Sequence, residues 1–254
     1  MFLDIEHLTM RFGGVVAVND VTMSVKPGEI HGLIGPNGSG KTTIFNVVSG
    51  YYKPTSGKVS LEGKTVSGLP AYQITANGFA RTFQNLRLFK SMTVLNNVLV
   101  GMGHHSRTSI WDEILNPRAI QREEKAFTDK AMELLRLLDV EEYARERATS
   151  LPYGHQRRVE IARALATNPK IVLLDEPAAG LNEAETDQLR QILLKIRDSG
   201  VTIFLVEHDM RLVMGSCDVV SVLDYGKKIA EGDTKTISAD PVVIEAYLGK
   251  EEEL

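Results

Sequence analysis

Two hydrophobic periods organise the chain, one of two residues and one of roughly three and a half, and the switches between them predict its elements. Residues 3–8 and 15–25, the latter with Val16, Val18, Val21, Met23 and Val25, show partial alternation, which predicts two strands of an antiparallel sheet. Glu29-Ile30-His31-Gly32-Leu33-Ile34 is short and apolar enough for a buried strand, and Thr43 to Ser49 continues as a helix ended by Gly50. The turn Pro54-Thr55-Ser56-Gly57 leads into an edge-type strand, Lys58 to Gly63, and Phe79-Ala80-Arg81-Thr82-Phe83 returns to the main sheet.

From Thr93 to about Arg147 the pattern becomes helical. Ala126, Ala131, Leu134, Leu135, Leu137 and Leu138 form an apolar face, and Arg122, Glu123, Glu124 and Lys125 a solvated one. This predicts a helical insertion, residues 86–165, within one domain spanning 1–254. A loop from Leu151 enters a helix that runs on from Gln156 through Leu165, and the β-rich run Lys170–Leu174 ends in Asp175 and Glu176. A helix from Glu183 to Asp198, a buried strand from Val201 to Val206, a hairpin from Cys217 to Gly232 and a short helix from Pro241 complete the series. The acidic end, Glu251-Glu252-Glu253, reads as solvated.

Within this frame the strongest chemical signal is Gly35-Pro36-Asn37-Gly38-Ser39-Gly40-Lys41-Thr42-Thr43, which fits G-x-x-x-x-G-K-[ST] at every fixed position and lies between a strand and a helix. Its glycines let successive N–H groups point into one concavity, and the helix N-terminus adds partial positive charge, so a triphosphate fits there. Lys41 would reach the β- and γ-phosphates, and the Thr42 hydroxyl would sit on a bridging Mg²⁺. Asp175 and Glu176, at the carboxyl end of an apolar strand, suit Mg²⁺ chemistry, the first holding the hydrated ion and the second polarising a water. His208 arrives at the same sheet edge and can approach the γ-phosphate, and Gln84 stands at the end of another strand, where parallel sheets bind ligands. Phe12 leaves two readings open, an aromatic stacking on a base and an isolated core residue.

Composition narrows the class. A formal charge of −4, from 29 basic and 33 acidic residues, gives no general electrostatic footprint for nucleic acid. The one cysteine, Cys217, cannot form an internal disulfide and reads as a small buried apolar residue in a reducing compartment. The N-terminus lacks a basic region followed by an apolar one, and no apolar run approaches transmembrane length, so a membrane role is expected through a partner. His104, His105 and Trp111 fall in one loop; adjacent histidines do not face a single ligand on a helix, and no metal ligand is proposed there.

Taken together, Gly35–Thr43, Gln84, Leu151–Gln156, Ile171–Glu176 and His208 resemble the ATP-binding cassette ATPases, in the family's order and over nearly the whole chain. The resemblance implies an α/β fold, a P-loop NTPase (RecA-like) core with an antiparallel β subdomain and a helical subdomain. Arg11-Phe12-Gly13-Gly14, Arg81-Thr82-Phe83-Gln84-Asn85, Ala178-Ala179-Gly180-Leu181-Asn182 and Ile244-Glu245-Ala246-Tyr247-Leu248-Gly249 look like the longer ATPase subunit of branched-chain amino acid importers. By position, Phe12 matches the aromatic that stacks on adenine, and Gly35, Asn37, Gly38, Ser39, Gly40, Lys41, Thr42 and Thr43 match the phosphate loop. Gln84 matches the glutamine that senses Mg²⁺ and the attacking water and links them to the membrane partner. Asp175, Glu176 and His208 match the metal aspartate, the general base and the γ-phosphate histidine. The signature loop, with Leu151, Gly154 and Gln156, acts in the family on ATP held by the opposite subunit, so the resemblance implies a head-to-tail dimer, alike or mixed. It also implies ATP and Mg²⁺ as cofactors, a transmembrane permease, an indirect solute-binding protein, and residence on the cytoplasmic face of the membrane. Pro152, Tyr153, His155 and Asn182 depart from the usual pattern. Subunits for lipopolysaccharide or urea transport look similar, whereas soluble ABC switch proteins carry two cassettes or long coiled-coil arms.

Overall fold

Strands with almost no polar residue can be stable only if both faces are covered, and three such runs build the centre of this protein. In the computed structural model, which describes residues 2–84, 86–103 and 117–248, Ile30–Ile34 (β3), Ile171–Asp175 (β7) and Thr202–Val206 (β8) are buried at every position. They lie side by side in a six-stranded sheet of order β10-β9-β3-β8-β7-β6, with β6 Phe79–Arg81, β9 Val219–Asp224 and β10 Lys227–Gly232. All neighbours are parallel except the β9–β10 hairpin. The parallel register aligns Asp175 with Val206 and Leu33 with Val206, so three chain exits leave the same edge next to one another.

The alternating segments at the start make a second sheet, β2-β1-β4-β5, from Leu3–Phe12 (β1), Val15–Val25 (β2), Ser56–Leu61 (β4) and Lys64–Thr65 (β5), antiparallel throughout. One core cluster joins both sheets: Leu3, Ile5 and Val59 pack with Ile44 and Phe45 of α1 (Lys41–Val48) and with Leu173 and Phe204. Phe45 stacks on Phe204 at 6.3 Å. Cys217 is buried, and burial pushes its thiol up to about 12, as the reading of an inert apolar residue requires.

The structure amends several boundaries. β1 runs four residues past the predicted stop, to Phe12, and β6 ends at Arg81 instead of Phe83, its pairing stopping opposite Leu173 although β7 itself continues to Asp175. Helices Ala71–Ala76 (α2) and Thr234–Ala239, each too short to show a period, were not predicted. The predicted helices at 183–198 and from Pro241 form as Glu183–Asp198 and Pro241–Leu248.

The chain divides into two compact units, Met1–Arg81 with Lys170–Leu254, and Thr82–Pro169. The second holds Val94–Met102 (α3), Pro117–Leu137 (α4) and Tyr153–Leu165 (α5); the helices after these are numbered α6 (Glu183–Asp198), α7 (Met210–Ser216), α8 (Thr234–Ala239) and α9 (Pro241–Leu248). Thr93 caps α3 by accepting from the Asn96 N–H at 3.2 Å. On α4 the apolar face buries Ala131, Leu134 and Leu135, and Leu138 follows them into the core, whereas Ala126, read as part of that face, is exposed. His104, His105, Trp111, Asn85, Gly249 and Glu251–Glu253 lie outside the described residues.

At the centre of this second unit a guanidinium is fully buried. Arg157 on α5 donates to the Phe83 and Gln84 carbonyls at 2.8 and 2.9 Å and to Glu160 at 2.9 Å, while Glu160 accepts the Arg87 N–H at 3.3 Å. Burial holds the Glu160 carboxyl above the usual carboxylate range despite Arg157. Removing one member of a buried pair costs about 3–5 kcal/mol. Arg157→Ala should therefore lower the unfolding free energy by about that amount in urea titrations, and the apolar pair Arg157→Met with Glu160→Leu should recover much of the loss, because no charge is then left buried alone.

Candidate functional site

Where β3 ends, the backbone must turn sharply and pass close to other backbone, and glycine alone permits both. Gly35 has φ 145°, and a Cβ there would lie 2.1 Å from the Leu223 carbonyl oxygen. Gly40 has φ 103°, and its Cβ would meet the Ala17 carbonyl oxygen at 2.6 Å. The loop is tied down on that side: Gly226 N–H donates to the Ser39 carbonyl at 3.0 Å, and Asn19 N–H donates to the Gly226 carbonyl at 2.8 Å. Lys41 turns back over the loop, its buried amine donating to the Gly35 and Pro36 carbonyls at 2.7 and 2.9 Å. Gly40 caps α1 and, having no side chain, offers no acceptor to the helix's first-turn N–H groups. Asn37, Gly38 and Thr42 are exposed around this opening and Thr43 is half-buried. Among the described residues, the Ser39 hydroxyl is buried without a hydrogen-bond partner. A rigid concavity with an amine, helix-terminal N–H groups and a spare hydroxyl fits a polyphosphate.

Two strands along, Asp175 closes β7 and is buried. Arg81 stands 3.4 Å from its Oδ2, donates to Ser49 Oγ at 2.6 Å and lies over the Phe45 ring at 4.7 Å. The next residue, Glu176, is in the left-handed region at φ 45°, uncommon for a side chain with a Cβ, and its N–H donates to the Val206 carbonyl at 2.9 Å. That bond brings the turn after β7 against the end of β8. The half-buried Glu176 Oε1 and the exposed His208 Nδ1 are consequently 3.9 Å apart.

Phe12 ends β1 with 42% of its surface exposed, outside the core cluster, meeting Tyr52 edge-on at 5.3 Å. The core alternative for this residue is thereby corrected: it sits at the hairpin tip, where β1 has no layer above it. Phe12, the glycine loop, Asp175, Glu176 and His208 thus share the first unit, and Gln84, Leu151, Gly154 and Gln156 belong to the second. Gln84 is exposed in the coil after β6, with its carbonyl held by Arg157. The predicted loop 151–156 is shorter than expected, because Pro152 is the N-cap of α5 and the helix begins at Tyr153, with Gln156 N–H donating to the Pro152 carbonyl at 3.0 Å. Gly154 is buried in that first turn, and Gln156 Nε2 donates to the buried Leu151's carbonyl at 2.8 Å. His155 packs on Tyr143 at 5.0 Å. Asn182, a departure from the usual aspartate, caps α6 in a reciprocal box with Glu185, both bonds at 3.0 Å, a task an amide performs as well as a carboxylate.

Sequence reading missed two residues. Arg81 gave no signal beyond its place in a subtype motif. Glu207, in the run Glu207-His208-Asp209, is fully buried, although a carboxylate beyond a strand end would ordinarily be read as solvated.

The fold is that of a P-loop nucleotide hydrolase. Over 98% of this chain and 98% of the other it superposes with a TM-score of 0.85 and 34% identity on MJ1267, an ATP-binding cassette of an ABC transporter solved in its ADP conformation. A dimeric structure of a bacterial ABC transporter cassette, MJ0796, matches with a TM-score of 0.76 and 27% identity over 91% of this chain and 98% of that one. The family model for the ABC transporter matches residues 18–179, and that for the branched-chain amino acid ATP-binding cassette transporter matches residues 227–253. The high-affinity branched-chain amino acid transport ATP-binding protein BraF of Pseudomonas aeruginosa is 45% identical over 249 residues, 98% of each chain. The chain belongs to the ATP-binding cassette transporter family, among its ATPase subunits.

The close approach at Gly35 yields a direct test. Gly35→Ala places a Cβ against the Leu223 carbonyl at a φ that side chains rarely adopt, so the loop must shift. Strain of that kind costs about 1–3 kcal/mol. Denaturant unfolding should show at least that loss, and ATP affinity, measured by calorimetry, should fall with it.

Proposed function

We propose that this chain is the ATP-hydrolysing subunit energising an importer of branched-chain or similarly small amino acids. The observation that carries the reading is the convergence, at one edge of the parallel sheet, of the glycine loop, Asp175 and the Glu176–His208 pair at 3.9 Å. The 45% identity to BraF supports the solute class.

ATP's adenine stacks on Phe12, whose exposed ring supports that role. Its phosphates occupy the concavity of Gly35, Asn37, Gly38, Ser39 and Gly40, and the first-turn N–H groups of Lys41, Thr42 and Thr43 face them. Mg²⁺, held by Thr42 and Asp175, would neutralise charge on the β- and γ-phosphates. Glu176 accepts the proton of a water attacking in line with the departing ADP oxygen, while Lys41, His208 and the loop N–H groups stabilise charge on the γ-phosphoryl. Lys41 is well suited to this, since its amine already lies over the loop, donating to the Gly35 and Pro36 carbonyls. Leu151, Gly154 and Gln156 act on ATP held by a second cassette, and the start of α5 at Tyr153 supports this, because its uncapped N–H groups suit an anion even though Pro152 brings no hydroxyl. The whole is one nucleotide-binding domain with a helical subdomain inserted, working from the cytoplasmic face of the membrane. Among the described residues no helix is long and apolar enough to cross it, and permease subunits provide the passage.

Glu176→Gln tests the assignment. The amide keeps the side chain's shape and removes the base, a change worth roughly 10²–10⁴-fold in rate. ATP binding should persist, turnover in the complex recovered from membranes should collapse, and ATP-bound dimers should accumulate in sedimentation. Near-native turnover would remove Glu176 from the role of base. Recovery of the chain without any permease would reject transport.

A further inference from the structure

We propose that Glu207 is a positioning residue that locks the turn carrying Glu176 to the turn carrying His208, so that base and phosphate-sensing histidine hold one fixed spacing. The proposal rests on the site reading above and adds to it a residue with no contact to substrate. Glu207 follows β8 and its side chain is completely buried. One oxygen, Oε1, accepts the Ala178 N–H at 2.8 Å. The other, Oε2, accepts the N–H groups of His208 at 2.7 Å and Asp209 at 3.0 Å. A single carboxylate therefore takes three backbone donors from two separate turns, an arrangement of short, charge-assisted bonds.

The consequence follows from what those turns carry. Glu176 has φ 45°, a conformation that persists only where surrounding bonds over-determine it. Its turn is pinned at two points: the Glu176 N–H on the Val206 carbonyl at 2.9 Å, and the Ala178 N–H on Glu207. His208 is pinned to the same carboxylate through its own N–H, and its Nδ1 lies 3.6 Å from Glu207 Oε2 and 3.9 Å from Glu176 Oε1. Asp209 carries the lock onward, capping α7 through bonds from the Arg211 and Leu212 N–H groups at 2.8 and 3.1 Å. Displacing the Ala178 turn would drag Glu207, and with it His208, so the two groups move together or not at all.

Glu207→Gln separates the two halves of the lock. The amide retains one oxygen and presents an NH₂ in place of the other. With its oxygen at the Oε2 position it still serves His208 and Asp209, but it sets donor against donor at Ala178. Misplacing a reacting group by about 1 Å can cost roughly 10²-fold in rate, so kcat of the full-length chain should fall roughly 10- to 100-fold while KM for ATP changes less than about 2-fold. Amide hydrogen exchange resolved by NMR should show faster exchange at Ala178, with His208 and Asp209 still protected. A variant-free measurement guards against misfolding: in the native chain the Ala178, His208 and Asp209 amides, held by one carboxylate, should open with a common free energy. Unchanged kcat in Glu207→Gln, a joint loss of kcat, KM and melting temperature, or independent opening of the three amides would overturn the proposal. Should Glu176→Gln and His208→Ala both keep native kcat, the site reading itself would have failed, a result distinguishable from failure of the lock alone.

Discussion

Everything at the site depends on the parallel pairing of β7 with β8. Two apolar strands, buried at every position, are held in a register that aligns Asp175 with Val206. From that alignment follow the Glu176 N–H bond to the Val206 carbonyl, the left-handed turn at Glu176 and the meeting with His208. A one-residue slip would invert every side chain on the strand, and in a sheet covered on both faces no alternative register buries the same surface. Rigidity in the middle of the molecule is thus converted into geometry at its edge, where β3 delivers the glycine loop beside the two acids.

The loop itself is shaped from outside as much as from within. Gly40 lies against Ala17 of β2, and Gly226 of the β9–β10 turn sits against the same carbonyl and bonds to Ser39. The antiparallel sheet and the terminal hairpin thereby act as buttresses for a turn whose sequence alone looks merely flexible. The left-handed pair Tyr225 and Gly226, at φ 42° and 77°, forms the tight turn from which Gly226 makes this contact.

Much of this was legible in sequence because it is local. Alternation gave β1 and β2 of the antiparallel sheet, an apolar run flanked by glycines gave β3, and paired acids marked the end of β7. The helix through Leu165 was read, but its start at Tyr153 was placed too late, at Gln156, because Pro152 and Gly154 close together read as loop, although proline is at home just ahead of a helix. The short α2 and α8 escaped for want of length to display a period. Arg81 and Glu207 escaped for a different reason. Their partners, the Asp175 carboxylate and the Ala178 N–H, are 94 and 29 residues away, and no spacing rule connects a charged side chain to its partner at such separations. Phe12 shows the opposite case, where chemistry left two readings open and exposure at the strand tip speaks against the core one.

The buried thiol of Cys217 has a practical side. It is the sole cysteine of the chain, and with its pKa pushed to about 12 it supplies almost no thiolate at neutral pH, where only the thiolate reacts. The native protein is in effect already blank for maleimide chemistry. A single cysteine placed on the surface would become the one attachment point for a spin label or fluorophore, so distances across the working molecule can be followed without first stripping out its own sulfur.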